Sequence, residues 1–390
     1  MKTNYHRVYA QIDLDSIKHN IEVISAHVNE GVKLMTVIKA DGYGHGAVPI
    51  GKEVESLNVD YIGVAIYQEG VLLREEGIKM PILVLGNTPR EAFGQLFEYN
   101  LTQTVYSTKM AKELNDCAKA RDKFARIHLK LDTGMGRIGI RAIHEPLEDV
   151  MSQIKEIYEL SNLYVEGLYT HFSKADEIDK TYTKIQLDVF QSVVNELEVI
   201  GIKPEIIHAS NSAGLIDVKE AGLNMVRAGI ALYGLYPSKE VDKSIGLKPA
   251  LSMISRIIFV KEVEADELIS YGGTYKTKAR TKIATIPIGY ADGYSRALSN
   301  KGHVVINGQL APIIGRVCMD QMMVDVSHIE HVKEDDKVYL IGGTHDAFVS
   351  VDDIADIMNT INYEVVCLIS KRVPRVYVKE NEIVDSIDYF

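Results

Sequence analysis

Short apolar runs recur along the first 230 or so residues, at 34–40, 61–66, 82–86, 101–106, 125–131, 164–170, 205–208 and 225–229. Runs of this length, bounded by turn residues, read as buried strands. Most of the gaps between them carry a helical period. Ile185, Val189, Val193 and Leu197 share one face, widened by Phe190 and Val194, and Ile17, Ile21, Ile24 and Val28 repeat the pattern ahead of the first run. Strands alternating with helices predict a parallel sheet, and eight such units predict a closed (β/α)8 barrel. A doubly wound open sheet is the alternative. After Tyr236 and Pro237 the rhythm changes. Segments 253–263, 282–287, 303–306, 311–317, 322–326 and 337–340 are short and rich in Val and Ile. Turn signals such as Asn307-Gly308 and Gly342-Gly343 separate them, which predicts an all-β region with one short helix near 351–358. The expected fold class is α/β plus β. A TIM-type barrel would span 1–240 and a mostly-β domain 241–390, with residues 1 to about 12 a candidate to pair with the latter.

Composition narrows the function classes. The 390 residues leave room for two domains, and 46% hydrophobic with 25% charged content suits a soluble globular chain. A formal net charge of −11 argues against nucleic acid or an anionic membrane as the main partner. Cys117, Cys318 and Cys367 are sparse and far apart, which suggests a reducing compartment and neither a disulfide framework nor a metal site. The N-terminal Met-Lys-Thr-Asn-Tyr-His-Arg precedes no apolar signal core, and no apolar run approaches a membrane span. A cytoplasmic protein is expected.

A barrel of this kind carries its chemistry at the C-terminal ends of its strands. The first run reaches Lys39 and passes into a loop holding Gly42, Tyr43, Gly44, His45 and Gly46. A lysine leaving the core is partly desolvated, which lowers its pKa and frees the amine for Schiff-base chemistry. Other runs end in Lys130 to Arg137, in His171, in His208 to Ser212, and in Arg227 to Ile230. Amine, guanidinium, imidazole and hydroxyl groups thus gather on one expected rim. Ser212, the backbone N–H groups of Gly229 and Ile230, and the Tyr43 phenol form a candidate anion site near strands seven and eight, where such barrels favour phosphate. A phosphate site beside a strand-end lysine points to pyridoxal phosphate.

Val37-Ile38-Lys39-Ala40-Asp41-Gly42-Tyr43-Gly44-His45-Gly46 closely resembles the pyridoxal-phosphate attachment segment of the alanine racemases. Asp41 and Gly42 stand where Asn-Ala is commoner. The resemblance extends through 132–139, 208–214, 226–234, 270–275, 315–325 and 372–377, and so covers essentially the whole chain. It implies that Lys39 anchors the cofactor, that Tyr43, Ser212, Gly229, Ile230 and Tyr363 bind its phosphate, and that Arg227 faces its ring nitrogen. A permanent cation there disfavours a proton on the ring and weakens the electron sink, which suits racemisation. The resemblance further implies two opposed acid–base groups, Lys39 and Tyr271, with His171 linking Tyr271 to Arg227 and His208 supporting that arginine. Arg137 and the Met319 N–H would hold the substrate carboxylate. Lys130 matches a lysine often carbamylated in the family, and Tyr290, Cys318 and Asp320 would support the site. The substrate would be alanine, the D-isomer serving peptidoglycan, and the assembly a head-to-tail homodimer in which Tyr271 and Met319 serve the partner's cofactor. A decarboxylase of the same plan is opposed by Arg227, and a non-catalytic pyridoxal-phosphate-binding protein by residues 240–390. A serine or broad-specificity racemase stays open, with Tyr363 favouring alanine.

Overall fold

The computed structural model of the chain describes residues 7–389. It divides into two compact units. One comprises Lys18–Gly42 and Ile50–Lys248. The other comprises the N-terminal segment ending at Ile17, Tyr43–Pro49 and the chain from Pro249 onward.

The first unit is a closed parallel barrel. Its eight strands are Lys33–Val37, Tyr61–Val64, Ile82–Val84, Thr102–Val105, Ala125–Asp132, Leu163–Tyr169, Ile206–His208 and Met225–Ala228. Each pairs in parallel with the next, and the eighth closes on the first with Arg227 opposite Met35. Met35, Tyr61, Leu83, Ile206 and Met225 pack inside it. The first strand stops at Val37, short of the expected Lys39. The helix Thr181–Val199 turns inward a face centred on Gln186, Leu187, Phe190, Val193 and Leu197, while Ile185 is exposed. The expected stripe is rotated because Gln186 is an inward polar residue. Its amide accepts from Ser173 N–H and donates to the His171 carbonyl, 3.1 Å away.

The second unit is built on a mostly antiparallel sheet. Its spatial order is Phe259–Val263, Thr281–Ile286, Met322–Asp325, Gln309–Ile314, His303–Ile306, Lys337–Gly343, Leu251–Arg256, Val8–Asp13, Arg375–Lys379 and Glu382–Ile387. The N-terminal strand Val8–Asp13 lies antiparallel to Leu251–Arg256 and parallel to Arg375–Lys379. The run expected over 253–263 is two strands. Between them the Ile257 N–H donates to the Asp336 carbonyl and the Ile258 N–H to that of Thr285. The helix Val351–Met358 falls where expected, and a second, Asn362–Leu368, follows it.

Candidate active site

Lys39 opens a turn of unusual backbone. Ala40 (φ 53°), Asp41 (φ 52°), Gly42 (φ 62°) and Tyr43 (φ 52°) are all left-handed. L-residues avoid this region, and Gly and Asp tolerate it best. Asp41 and Gly42 therefore suit their places in the turn. The carboxylate of Glu69 accepts from Ala40 N–H at 2.6 Å and from Ala65 N–H at 2.7 Å, which ties the turn to the next βα loop. Lys39 itself is half-buried.

Arg227 is buried at the barrel's rim, and both terminal nitrogens of its guanidinium donate to protein acceptors. Nη1 donates to His208 Nδ1 at 2.8 Å, and Nη2 to His171 Nδ1 at 3.1 Å and to the Thr170 and Ala209 carbonyls. An arginine only donates, so both imidazoles must offer an unprotonated Nδ1. Burial and the charge of Arg227 hold both histidines well below the ordinary value of 6.5, with Lys130 acting on both and Arg137 and Lys39 adding to His171. Burial also lowers Arg227 itself to about 10. Tyr169 stacks on His208 with ring centroids 4.6 Å apart and lies under both Arg227 and Lys130.

Lys130 is buried, and its pKa falls to about 7, through burial first and then the charges of Arg137, Arg227 and Lys39, against the opposite pull of Asp132. Arg137 is exposed and follows a loop that Asp132 folds by accepting from Gly134 and Gly136 N–H. The Ser212 hydroxyl accepts from Gly229 N–H at 2.9 Å and Ala231 N–H at 3.3 Å, which leaves its own O–H to donate. The Gly229 N–H expected to meet a phosphate is thus taken by Ser212. The charges of Arg137, Arg227 and Lys39 all press on Lys130 at this rim. A ligand bringing a phosphate and a carboxylate relieves that repulsion, so the donor set fits pyridoxal phosphate with an amino acid.

The β unit gathers its own predicted residues. Tyr271 sits on a short 3-10 turn between Ser270 (φ 67°) and Gly272 (φ 74°), and is 71% exposed. Met319 is 53% exposed. Tyr271, Cys318, Met319 and Asp320 line one open concavity of about 650 Å³ with Ser270 and Gln321. The Ser270 hydroxyl donates to the Arg316 carbonyl at 2.7 Å, which holds the Tyr271 turn against the 316–321 loop. Tyr290 N–H donates to the Cys318 carbonyl and Ala291 N–H to that of Met319, both at 3.1 Å. A side chain at Gly289 would collide with both carbonyls. Asp320 pairs with Arg372 at 2.9 Å, and buried Asp292 takes Arg7 and Arg372. Elsewhere in this unit Tyr43 and Tyr363 approach with ring centroids 6.1 Å apart. Glu69, Tyr169, His128 and Glu166 were not among the expected residues. His128 lies two residues before Lys130 on one strand, the spacing that puts both on one face, and that is the signal that could have found it.

A closed barrel with an amine just past its first strand, a buried arginine flanked by neutral imidazoles, and a mostly-β second unit define a pyridoxal-phosphate enzyme of the barrel-plus-β class. Residues 12–237 match the family model described as alanine racemase, N-terminal domain, and residues 250–377 its C-terminal counterpart. An alanine racemase of Clostridium perfringens is 48% identical over 383 residues, 98% of each chain. The solved alanine racemase of Clostridium difficile 630 superposes with a TM-score of 0.92 at 43% identity, covering 98% of each chain. That of Bacillus anthracis with bound L-Ala-P gives 0.91 at 35% identity, covering 99% of this chain and 98% of that one. The chain belongs to the alanine racemase family, and racemisation of alanine with pyridoxal phosphate is the activity that membership carries. No helix among the described residues is long and apolar enough to cross a membrane.

Proposed function

We propose that this chain interconverts L- and D-alanine by passing the Cα proton between two opposed groups, the Lys39 amine and the Tyr271 phenol. Pyridoxal phosphate, bound at Lys39, supplies the electron sink that makes the Cα–H acidic. Tyr43, Tyr363, the Ser212 O–H and the Ile230 N–H hold its phosphate, with the Gly229 N–H holding the Ser212 hydroxyl in place. The observation that carries the reading is the rim set itself: Lys39 and Arg227 both press their charge on His171, and His171 and His208 are kept neutral by burial and by the guanidinium's charge. Since His171 Nδ1 is occupied by Arg227, its proton sits on Nε2. Arg137 and the Met319 N–H hold the substrate carboxylate, which aims Cα at both groups.

Lys130, with its amine titrating near 7 among cations, is a good nucleophile towards carbon dioxide. The neutral amine adds to carbon dioxide and releases one proton to solvent, which leaves a carbamate anion to anchor Arg137. Absence of a carbamate carbon signal in the carbon-13 NMR spectrum of native enzyme equilibrated with labelled bicarbonate contradicts this assignment.

Tyr271 and Met319 lie on an open concavity of the β unit, a surface suited to a second copy of the chain. We assign a head-to-tail homodimer in which each copy completes the other's site, working in the cytoplasm to supply D-alanine for peptidoglycan. Mixing inactive Lys39→Ala and Tyr271→Ala chains tests this arrangement. Shared sites predict recovered alanine racemisation in the mixture, because one site per mixed dimer is intact. No recovery, with dimers formed, rules the arrangement out.

A further inference from the structure

A second set of buried polar groups continues inward from Arg227 and takes no part in the proposed proton transfer. His208 Nε2 lies 3.0 Å from His128 Nδ1, and His128 Nε2 lies 3.1 Å from Glu166 Oε2. Glu166 also accepts from the Tyr61 hydroxyl at 2.8 Å and from Arg126 at 2.6 Å. His128 and His208 are fully buried and Glu166 nearly so, while the Arg126 side chain is half-exposed at the start of its strand. The chain of contacts thus runs along the barrel from one mouth to the rim.

Only one order of protons satisfies it. Arg227 donates to His208 Nδ1, so the His208 proton is on Nε2 and points at His128. His128 must then accept at Nδ1 and carry its own proton on Nε2, where it donates to Glu166. A protonated His128 would set two N–H groups against each other across 3.0 Å, or force His208 to present N–H to the guanidinium. The carboxylate is the terminus that accepts every remaining proton. Burial favours its neutral form, but the hydrogen bonds from His128 and Tyr61 and the pair with Arg126 outweigh that and hold its pKa down at about 2. Space for the ring is also specified. A Cβ at Gly167 would come within 2.6 Å of His128 Nδ1, so glycine is required beside it.

We propose that His128 and Glu166 are positioning residues for the racemase reaction, fixing the His208 tautomer and, through it, the orientation of the Arg227 guanidinium that faces the cofactor ring. The inference rests on Arg227's role in the proposed function. Without the relay, His208 is free to place its proton on Nδ1, which sets N–H against N–H and pushes Arg227 off its position.

Nitrogen NMR of histidine-labelled holoenzyme reads the tautomers directly and needs no variant to fold. Neutral Nε2–H forms at both His128 and His208 are expected. A cationic ring at either, or an Nδ1–H form, overturns the proposal. In the companion experiment, His128→Phe and Gly167→Ala should lower kcat by about tenfold while the alanine KM moves less than about twofold. The cofactor's absorption band should shift in both. Folded variants with wild-type kcat and spectrum overturn the positioning role. Racemisation by the wild-type chain is measured alongside: its absence removes the reading of Arg227, whereas the tautomers are decided by NMR independently of it.

Discussion

Four consecutive left-handed residues after Lys39 are an expensive way to leave a strand. Each non-glycine position there costs about 1–2 kcal/mol, which the surroundings must offset. Glu69 is the visible offset, since its carboxylate satisfies Ala40, Ala65 and Ile66 N–H together. Replacing Glu69 with Ala should cost about 2 kcal/mol, read as a lower denaturation midpoint, and should loosen Lys39 enough to reduce kcat. A Glu69→Ala chain with unchanged midpoint and kcat would show that the turn holds itself. The rim positions of Lys39, His171, Ser212 and Arg227, at or just past the ends of their strands, were legible from the apolar runs before them. Glu69 was not, because it acts on a backbone N–H 29 residues away and nothing in its own helix marks it. His128 and Glu166 escaped for a related reason: each alone reads as an isolated polar residue in an apolar strand, and only the closed barrel brings them together.

At the scale of elements, periodicity located all eight barrel strands, and within the barrel the errors were confined to strand ends and to helix faces. A strand's apolar run continues into the loop it positions, so 34–40 overshot Lys33–Val37. In the β unit the helix Val351–Met358 was legible because Ser350 and Asp353 cap it reciprocally and its apolar positions recur cleanly. The seven-residue helix Asn362–Leu368 follows Ile361, which offers no capping group, and is too short for a period to declare itself. The cap makes a prediction of its own. Ser350→Ala removes the acceptor for Asp353 N–H at 3.0 Å and should destabilise the chain by about 1 kcal/mol, measured by urea titration. A shift within error would mean that tertiary packing alone fixes the helix start.

Across the whole molecule, the acidic balance conceals buried basic groups in the barrel interior, and that contrast sets the response to pH. The Glu166 carboxyl, at about 2 in the folded chain against an ordinary 4.5, contributes stability in full above pH 4.5 and loses it as the pH falls towards 2. The shift corresponds to about 3 kcal/mol. His128, His171 and His208 are also depressed, from 6.5, so unfolded chains gain protons there first and the loss begins below that value. The urea midpoint should therefore fall between pH 7 and 4, and a flat midpoint over that range would contradict the buried network.

The domain plan, a barrel followed by a β unit, was legible because the two rhythms differ. The expectation that Tyr271 and Met319 serve a cofactor held by a barrel came only through family resemblance, since distance along the chain carries no record of assembly. The central claim is that Lys39 anchors pyridoxal phosphate for alanine racemisation. Borohydride reduction of the holoenzyme followed by peptide mapping tests it most directly. A pyridoxyl label on the peptide containing Lys39, together with loss of alanine racemisation on reduction, is the predicted result. A label on another lysine, or activity that survives reduction, would contradict it.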